Sequence, residues 1–290
     1  MATGNHVENP FEYLLKGLSW PFTHAHWRSD PAARAAARVA PQVRRIEAED
    51  LWDSLRKGFA DFAAARDDVI FIVILYPLAG LLLAAAASRY DLLPMIFPLL
   101  SGFALIGPVA AVGLYEVSRR RERGDTVSWL DAVGVFRSPA IGSIMGMGLV
   151  LVALFVLWLF TAYEISLLAF ADGAPATVEG FLSQVFATGG GWWMAAVGIG
   201  VGFLYAVAAL AISAVSFPLL LDKHVDMDVA IRTSLKVVAR NPGTMALWGL
   251  VVAAALVIGS LPALMGLIVV LPVLGHATWH LYRKAVEPSA

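Results

Sequence analysis

Hydrophobic and polar positions alternate along this chain in long blocks. Six apolar runs, at about 69–87, 92–117, 141–170, 192–221, 244–260 and 262–281, are separated by polar segments. About 20 apolar residues are enough to cross the roughly 30 Å hydrocarbon layer of a bilayer as a helix. The pattern predicts an all-α protein, a polytopic membrane helix bundle with six transmembrane helices.

The last two apolar runs adjoin at Leu261 and Pro262. One kinked helix through both runs would contain about 38 residues, which far exceeds the length of a tilted span. We therefore expect two helices that are joined by a tight turn.

A short amphipathic stretch precedes each odd-numbered run, and a polar break follows the stretch at 65–68, 136–139 and 239–242. The apolar positions of each stretch share one helical face. They are Leu51, Trp52, Leu55, Phe59 and Phe62, then Trp129, Leu130, Val133 and Phe136, then Met227, Ile231, Leu235 and Val238. Ser138 and Asn241 suit the N-cap position of the helix that follows each of the last two breaks.

This organisation predicts three hairpins, each preceded by a cytoplasmic amphipathic helix. The repeats would cover about 47–117, 125–221 and 226–284, and together they would form a membrane domain at 47–284. We expect residues 1–46 to be a polar, flexible cytoplasmic tail and residues 285–290 to be a C-terminal tail. The alternative is that any loop re-entering a membrane has this pattern, without a true repeat.

Basic residues mark alternate segments. Lys and Arg number nine before the first run, then one, five, none, four and none in successive loops, and two after the last run. Cytoplasmic loops are enriched in Lys and Arg, so both termini are expected on the cytoplasmic side of a bacterial inner membrane. The first 68 residues lack the pattern of a cleaved signal peptide, and we expect them to remain attached.

The composition agrees with a membrane protein and limits the kinds of chemistry that the chain can perform. The chain is 59% apolar and 15% charged, against about 45–50% and 25% in soluble domains. A net charge of −1 gives no general attraction to nucleic acid, so the lipid bilayer is the expected partner. There is no cysteine and no recognisable catalytic motif, and the protein is predicted not to be an enzyme.

Two histidines in the last run are weak candidates for cofactor binding. His276 and His280 are spaced i, i+4, which places both rings on one helical face where they could contribute to a metal or haem site. No third ligand is evident, and a helix C-terminus favours imidazoles for electrostatic reasons alone. We predict no cofactor and no metal.

Two glutamates are candidates for an intramembrane polar site. Glu116 closes the second run ahead of a basic cluster and could form a structural ion pair, and Glu164 lies towards the outer end of the third run. For Glu164, solvation at the membrane interface is the simpler interpretation. The pairs Gly142 with Gly146 and Gly198 with Gly202 have the small-xxx-small spacing that permits close helix packing.

Two stretches resemble a known family. They are Phe97-Pro98-Leu99-Leu100-Ser101-Gly102-Phe103-Ala104-Leu105-Ile106-Gly107-Pro108, followed by Gly113-Leu114-Tyr115-Glu116-Val117-Ser118-Arg119-Arg120, and Leu271-Pro272-Val273-Leu274-Gly275-His276-Ala277-Thr278-Trp279-His280-Leu281-Tyr282-Arg283. Over about 48–284 the chain resembles the bacterial integral membrane family called domain of unknown function 2189. The resemblance implies an uncharacterised membrane protein, and some members carry the label of a cytochrome c oxidase subunit.

We therefore expect a non-enzymatic accessory, assembly or scaffold subunit of an inner-membrane complex, with a respiratory oxidase as one such complex. Its partners would be other subunits or a second copy of the chain. The alternative is a small-molecule or lipid transporter, with Glu164, Tyr76 and Tyr205 as possible cavity groups. The third hypothesis is a haem or metal-binding membrane protein that uses His276 and His280.

Overall fold

The computed structural model describes residues 35–73, 78–82, 85, 93–105, 107–125, 127, 131–132, 134–170, 173 and 177–287. These residues form an α-helical protein. The helices are α1 (Ala48–Val73), α2 (Ile96–Leu105), α3 (Gly107–Ala110), α4 (Val112–Glu122), α5 (Ile141–Ala169), α6 (Val178–Ala187), α7 (Gly189–Ser213), α8 (Ser216–Lys223), α9 (Met227–Arg240), α10 (Pro242–Ser260) and α11 (Leu267–Ala285). Two short 3₁₀ turns, Leu93–Met95 and Gly134–Arg137, precede α2 and α5.

Helix α1 begins with a carboxylate at its positive end and packs along α11. Asp50 accepts a hydrogen bond from the backbone nitrogen of Glu47 at 2.9 Å, which satisfies one of the free amides of the first turn. The helix continues through 65–68, so the polar break expected there does not interrupt it. The two helices are antiparallel, because Asp50 contacts Lys284 whereas Asp61 contacts His280.

A close backbone approach joins α1 to α11. A Cβ atom at Gly58 would lie 2.5 Å from the backbone nitrogen of Ala277, so only glycine fits at this point of the interface. The buried face of α1 around it consists of Leu51, Ser54, Gly58, Asp61 and Phe62. Trp52 and Phe59 belong to the same predicted apolar stripe, yet they are 70% and 57% exposed. The apolar stripe is therefore split between this interface and the surface.

The second apolar run is a series of short helices. Helices α2, α3 and α4 follow one another within 96–122, with residue 106 between the first two outside the described part. A Cβ atom at Gly102 in α2 would lie 2.3 Å from the ring of Phe155, which shows how closely α2 packs on α5. Trp158 of α5 donates a hydrogen bond from Nε1 to the carbonyl oxygen of Pro98 at 3.1 Å.

Among the described residues, three helical segments are long and apolar enough to cross a membrane: Ile141–Ala169, Gly189–Lys223 and Pro242–Ser260. They correspond to the third, fourth and fifth predicted runs. The first run is described only in part, at 69–73, 78–82 and 85. The second run forms short helices, and the sixth forms the more polar α11. The prediction of an all-helical membrane protein is confirmed, whereas six spans stay a prediction.

Helices α10 and α11 are separate, as expected. Residues 261–266 form the turn between them, with Ala263 and Leu264 in the left-handed region at φ of 49° and 66°. A Cβ atom at Gly266 would lie 2.8 Å from the Cα atom of Gly259, so two glycines permit the helix ends to touch. The predicted threefold repeat stays untested, because residues 128–130 and 133 of its second member lie outside the described residues.

The segment 35–47, at the start of the described chain, packs against the end of α11 and the start of α10. Val43 and Val286 form an antiparallel β-bridge, and the backbone nitrogen of Arg44 donates to the carbonyl oxygen of Ala285 at 2.8 Å. Asn241 does not cap α10 with its side chain; its Oδ1 accepts from the backbone nitrogen of Ile46 at 2.9 Å instead. The described part of the predicted tail thus packs against three other segments, and Ile46 is buried.

Candidate functional site

Polar side chains from three helices meet at the buried face of α11. We call Asp61 of α1, Ser118 and Arg121 of α4, and His276 and His280 of α11 the polar cluster. Asp61, Ser118 and His276 are all buried, and Ser118 and His276 have no exposed surface. Such groups are stable inside a protein only where they are hydrogen-bonded or paired.

Asp61 is the centre of the polar cluster. Its Oδ2 atom accepts from the hydroxyl of Ser118 at 2.6 Å and lies 2.9 Å from Nε2 of His280. Its Oδ1 atom accepts from Nε of Arg121 at 3.0 Å. Burial opposes ionisation, but the hydrogen bonds from His280 and Ser118 and the charge of the imidazoles outweigh it, and the pKa of Asp61 is held below its ordinary value of 3.8. Asp61 is therefore an anion at neutral pH.

His276 is the remaining member of the polar cluster, and only one of its two ring nitrogens has a hydrogen-bond partner. Its Nδ1 atom lies 2.8 Å from the hydroxyl oxygen of Ser118. Its Nε2 atom is buried and forms no hydrogen bond. The ring lies ten residues, or about 15 Å along the helix axis, beyond Gly266 at the turn. Both candidate histidines thus lie along the half of α11 that is remote from the turn, packed against α1 and α4.

Glu116 lies in a separate group of ion pairs on α4. Its carboxylate is 4% exposed and lies 2.7 Å from Nη2 of Arg119 and 2.8 Å from Nε of Arg120. Arg120 also contacts Asp131 at 2.7 Å. Two arginines neutralise the one buried carboxylate, which is the arrangement of a structural ion pair.

The last turns of α11 are held by further polar contacts. The indole nitrogen of Trp279 and Nε of Arg283 each donate to Glu122 at 3.0 Å. Tyr282 donates its hydroxyl to Asp222 at 2.7 Å. These contacts join α11 to α4 and α8.

Lys284 closes the end of the α1–α11 interface. Its ammonium lies 2.9 Å from Asp50 and 2.8 Å from Asp53. The hydrogen bond to Asp53 raises the pKa of Lys284, and the hydrogen bond from Lys284 lowers the pKa of Asp53. Both groups are therefore charged across the physiological pH range.

The remaining candidate residues are dispersed. Glu164 is exposed on α5, remote in sequence from the polar cluster, and Tyr205 of α7 forms a 2.9 Å hydrogen bond with Thr161. Tyr76 lies outside the described residues. Exposed Gly142 and half-buried Gly146 lie in the first turns of α5, where a Cβ atom at Gly146 would lie 3.3 Å from Sδ of Met227.

In the second glycine pair, Gly202 lies against another helix whereas Gly198 does not. A Cβ atom at Gly202 would lie 3.0 Å from the ring of Trp158, so α5 and α7 approach closely there. At Gly198 and Gly200 it would meet nothing within 4 Å. One side of α7 is therefore packed within the chain and the other is open.

The histidine pair is committed to protein contacts. His280 uses Nε2 for Asp61, and His276 uses Nδ1 for Ser118. Within the part of the chain that the structure describes, no three metal-ligating side chains come together in a group that could hold an ion. Axial haem ligation needs a nitrogen that faces the iron, and the Nε2 atom of His276 is buried inside the protein.

Asp61, Ser118 and Arg121 were not among the candidates from sequence. One signal was present, since Ser54 and Asp61 are polar residues at helical spacing on the otherwise apolar face of α1 that contains Leu51 and Phe62. A polar residue on an apolar face indicates a buried partner. The identity of the partners of Asp61, which are 57 to 219 residues away along the chain, had no signal in the pattern.

Comparison with known proteins identifies a family without a known activity. Residues 96–222 match the family described as "Predicted integral membrane protein (DUF2189)". This match confirms the resemblance over the first of the two stretches; the second, at 271–283, lies beyond it. No curated protein and no solved structure matches the chain.

Proposed function

We propose that this integral membrane protein, whose residues 96–222 belong to the DUF2189 family, is a non-enzymatic accessory, assembly or scaffold subunit of a bacterial inner-membrane complex. It would contribute no catalytic residue of its own and would act through contacts with other membrane subunits. The support comes from the surfaces of the long apolar helices and from the state of the ionisable groups.

Uncovered apolar surface is the observation that carries the proposal. In the most apolar part of each long segment, the share of residues buried inside the protein is 28% for α5, 6% for α7–α8 and 17% for α10. Exposed apolar faces of this size must be covered by lipid or by other proteins. The apolar part of α7 in particular is barely covered by its own chain.

The ionisable groups favour a scaffold over a transporter or a haem protein. Glu116 is neutralised by Arg119 and Arg120, and Asp61 is neutralised by Arg121 and bonded to His280. A transport or cofactor site needs polar groups that remain available to a ligand. These groups are used to join helices.

The proposed topology has six spans in three hairpins, with both termini cytoplasmic. The bridge between Val43 and Val286 supports this topology, because two paired residues lie on the same side of a membrane and the chain between them would cross it an even number of times. Six crossings agree with an even number, whereas the three long segments alone do not. The positive-inside pattern of Lys and Arg supports a cytoplasmic location for both termini.

Co-purification from native membranes tests the role. A tagged copy is extracted in mild detergent, and the proteins that accompany it are quantified by mass spectrometry. We expect stoichiometric subunits of one membrane complex, and a respiratory oxidase is the first to look for, because family members carry that label. A wild-type protein that purifies without any partner contradicts the proposal.

A matched set of variants locates the contact. Gly200→Leu adds bulk to the open side of α7, where no atom of the chain lies within 4 Å, and we expect a severalfold loss of the partner with the fold intact. Gly107→Leu adds the same bulk to open space elsewhere and should retain the partner. Equal recovery with both variants would exclude α7 as the contact.

One observation favours a second candidate, a small-molecule or lipid transporter. Thr161 and Tyr205 form a hydrogen bond within the apolar helices α5 and α7, and Tyr205 also packs against Trp158 at a ring-centroid distance of 5.5 Å. Polar groups at this position could line a path. Proteoliposomes that contain a fluorescent phospholipid test lipid movement directly, and Tyr205→Phe should slow it if this function is correct.

A further inference from the structure

We propose that Asp61, Ser118 and His276 form a buried proton-binding site, in which the hydroxyl of Ser118 relays a proton between the carboxylate and the imidazole. This site goes beyond a scaffold role, because it would give the α1–α4–α11 interface a defined proton content.

Ser118 lies between two groups but has one proton to donate. Its oxygen is 2.6 Å from Oδ2 of Asp61 and 2.8 Å from Nδ1 of His276. If the hydroxyl donates to Asp61, the second contact is a hydrogen bond only when Nδ1 of His276 carries a proton. If the hydroxyl donates to His276, the carboxyl of Asp61 must be protonated. Each arrangement therefore requires a proton at a stated atom.

The opposite ring nitrogen shows where an added proton would bind. With Asp61 ionised and Nδ1 protonated, a neutral His276 leaves Nε2 as a buried lone pair without a donor. His276 has no exposed surface, and a proton is a ligand that needs no additional space there. Protonation at Nε2 makes His276 a cation that faces the anionic Asp61 across Ser118.

Once the added proton is bound, two arrangements have the same number of protons. In the first, Asp61 is an anion and His276 is a cation. In the second, the proton on Nδ1 has moved to Ser118 while the hydroxyl proton of Ser118 has moved to Oδ2 of Asp61. One N–H bond and one O–H bond break and two O–H bonds form, so the relay balances without any other reactant.

The surroundings connect this site to the surface on one side. On α4, Arg121 contacts Asp61 at 3.0 Å, and on α11, His280 contacts Asp61 at 2.9 Å and retains 14% of its side-chain surface. Helix α10 has no titratable residue. On α8, Asp222 is bonded to Tyr282, and Lys223 is bonded to the backbone of Glu287. His280 is thus the route by which a proton reaches Asp61 from solvent.

Nitrogen NMR of the full chain in phospholipid nanodiscs tests the site. Histidine labelled with ¹⁵N reports whether each ring nitrogen carries a proton, and the signals of His276 are those that His276→Gln removes. We expect Nδ1 to be protonated at neutral pH, and Nε2 to gain a proton as the pH is lowered within the folded range. An Nε2 atom that stays unprotonated throughout that range overturns the proposal.

The relay is tested by the hydroxyl of Ser118. Infrared spectra of the same samples report protonated carboxyl groups, and the band of Asp61 is the one lost in Asp61→Asn. In the wild type and in Ser118→Thr, which keeps the hydroxyl, the carboxyl band and the His276 signals should change together with pH. In Ser118→Ala the two titrations should separate, and a coupled titration in that variant would exclude the relay. Should Ser118→Ala fail to fold, the wild-type spectra alone decide, because a His276 transition without a carboxyl band contradicts the relay.

Discussion

Helices α1 and α11 contact each other backbone to backbone, whereas α5 and α7 meet mainly through large side chains. In the first pair, Gly58 lies directly against Ala277, and polar contacts follow at Asp61 and Lys284. In the second pair, the rings of Trp158 and Tyr205 fill the space between the helices. The first pair is stabilised within the chain, while the second leaves most of its surface to the membrane or to a partner.

This difference shows where substitutions should matter. Changes at the α1–α11 interface remove contacts that only this chain can supply, and they should reduce the free energy of unfolding in any solvent. Changes on the open side of α7 should leave folding unchanged. The following variants test that contrast, and thermal unfolding in one detergent permits a direct comparison among them.

The largest effect is expected from Gly58→Ala. The new Cβ atom would lie 2.5 Å from the backbone nitrogen of Ala277, and backbone atoms cannot move aside as a side chain can. Overpacking of this kind costs about 3 kcal/mol of unfolding free energy. Gly200→Ala is the control, since its Cβ meets nothing within 4 Å and alanine favours a helix by up to ~1 kcal/mol. Equal melting temperatures for the two variants would refute the contrast.

A smaller loss, about 2 kcal/mol, is expected from Asp61→Asn, because the variant loses charge-assisted hydrogen bonds. These bonds join Asp61 to Arg121 and His280 in a mostly buried setting. The pKa of Asp61 is lowered in the folded protein, so its contribution is fully present above pH 3.8 and is lost as the pH falls through the folded-state pKa. The difference in melting temperature from wild type should therefore shrink in acid.

Asp228→Asn provides the matched control for that experiment. Asp228 forms an exposed pair with Arg232 on α9, and exposed pairs contribute about 0–1 kcal/mol. It should show little loss at neutral pH and little change in acid. If Asp228→Asn destabilises the protein as much as Asp61→Asn does, burial is not what gives Asp61 its importance.

The smallest loss, about 1 kcal/mol, is expected from Trp158→Phe. Trp158 is buried between α2, α5 and α7 and donates a hydrogen bond to Pro98 that phenylalanine cannot make. Trp193→Phe, at a side chain that is 43% exposed, should leave the melting temperature unchanged. A loss from Trp158→Phe as large as that from Gly58→Ala would show that the two helix pairs are equally dependent on their own contacts.

Sequence patterns located the long helices well but not their neighbours. The apolar runs at 141–170 and 244–260 agree with α5 and α10 within a few residues. A long continuous run of apolar residues can be recognised as a helix from the sequence alone, without knowledge of its tertiary contacts. The pairing of α1 with α11 had no such signal. It depends on the fit of Gly58 against Ala277, and the same amphipathic face would have suited a membrane surface.

The candidate site shows the same limit. Periodicity placed His276 and His280 on one face of a helix, and both do face Asp61 and its neighbours. A one-dimensional pattern contains no distance between α1, α4 and α11, so neither Asp61 nor Ser118 could be assigned to them. Glu116 was easier, since its partners Arg119 and Arg120 are three and four residues away on the same helix.

The antiparallel pairing of α1 with α11 has a consequence for biogenesis. Leu267 follows Val73 by 194 residues, so at about 5–20 residues per second the ribosome makes the partner of α1 roughly 10–40 s after α1 itself. During that interval Asp61 has neither His276 nor His280 beside it. The bundle therefore closes in a late step, when the last helix packs against α1 and α4 and the bridge at Val286 joins the end of α11 to the segment before α1.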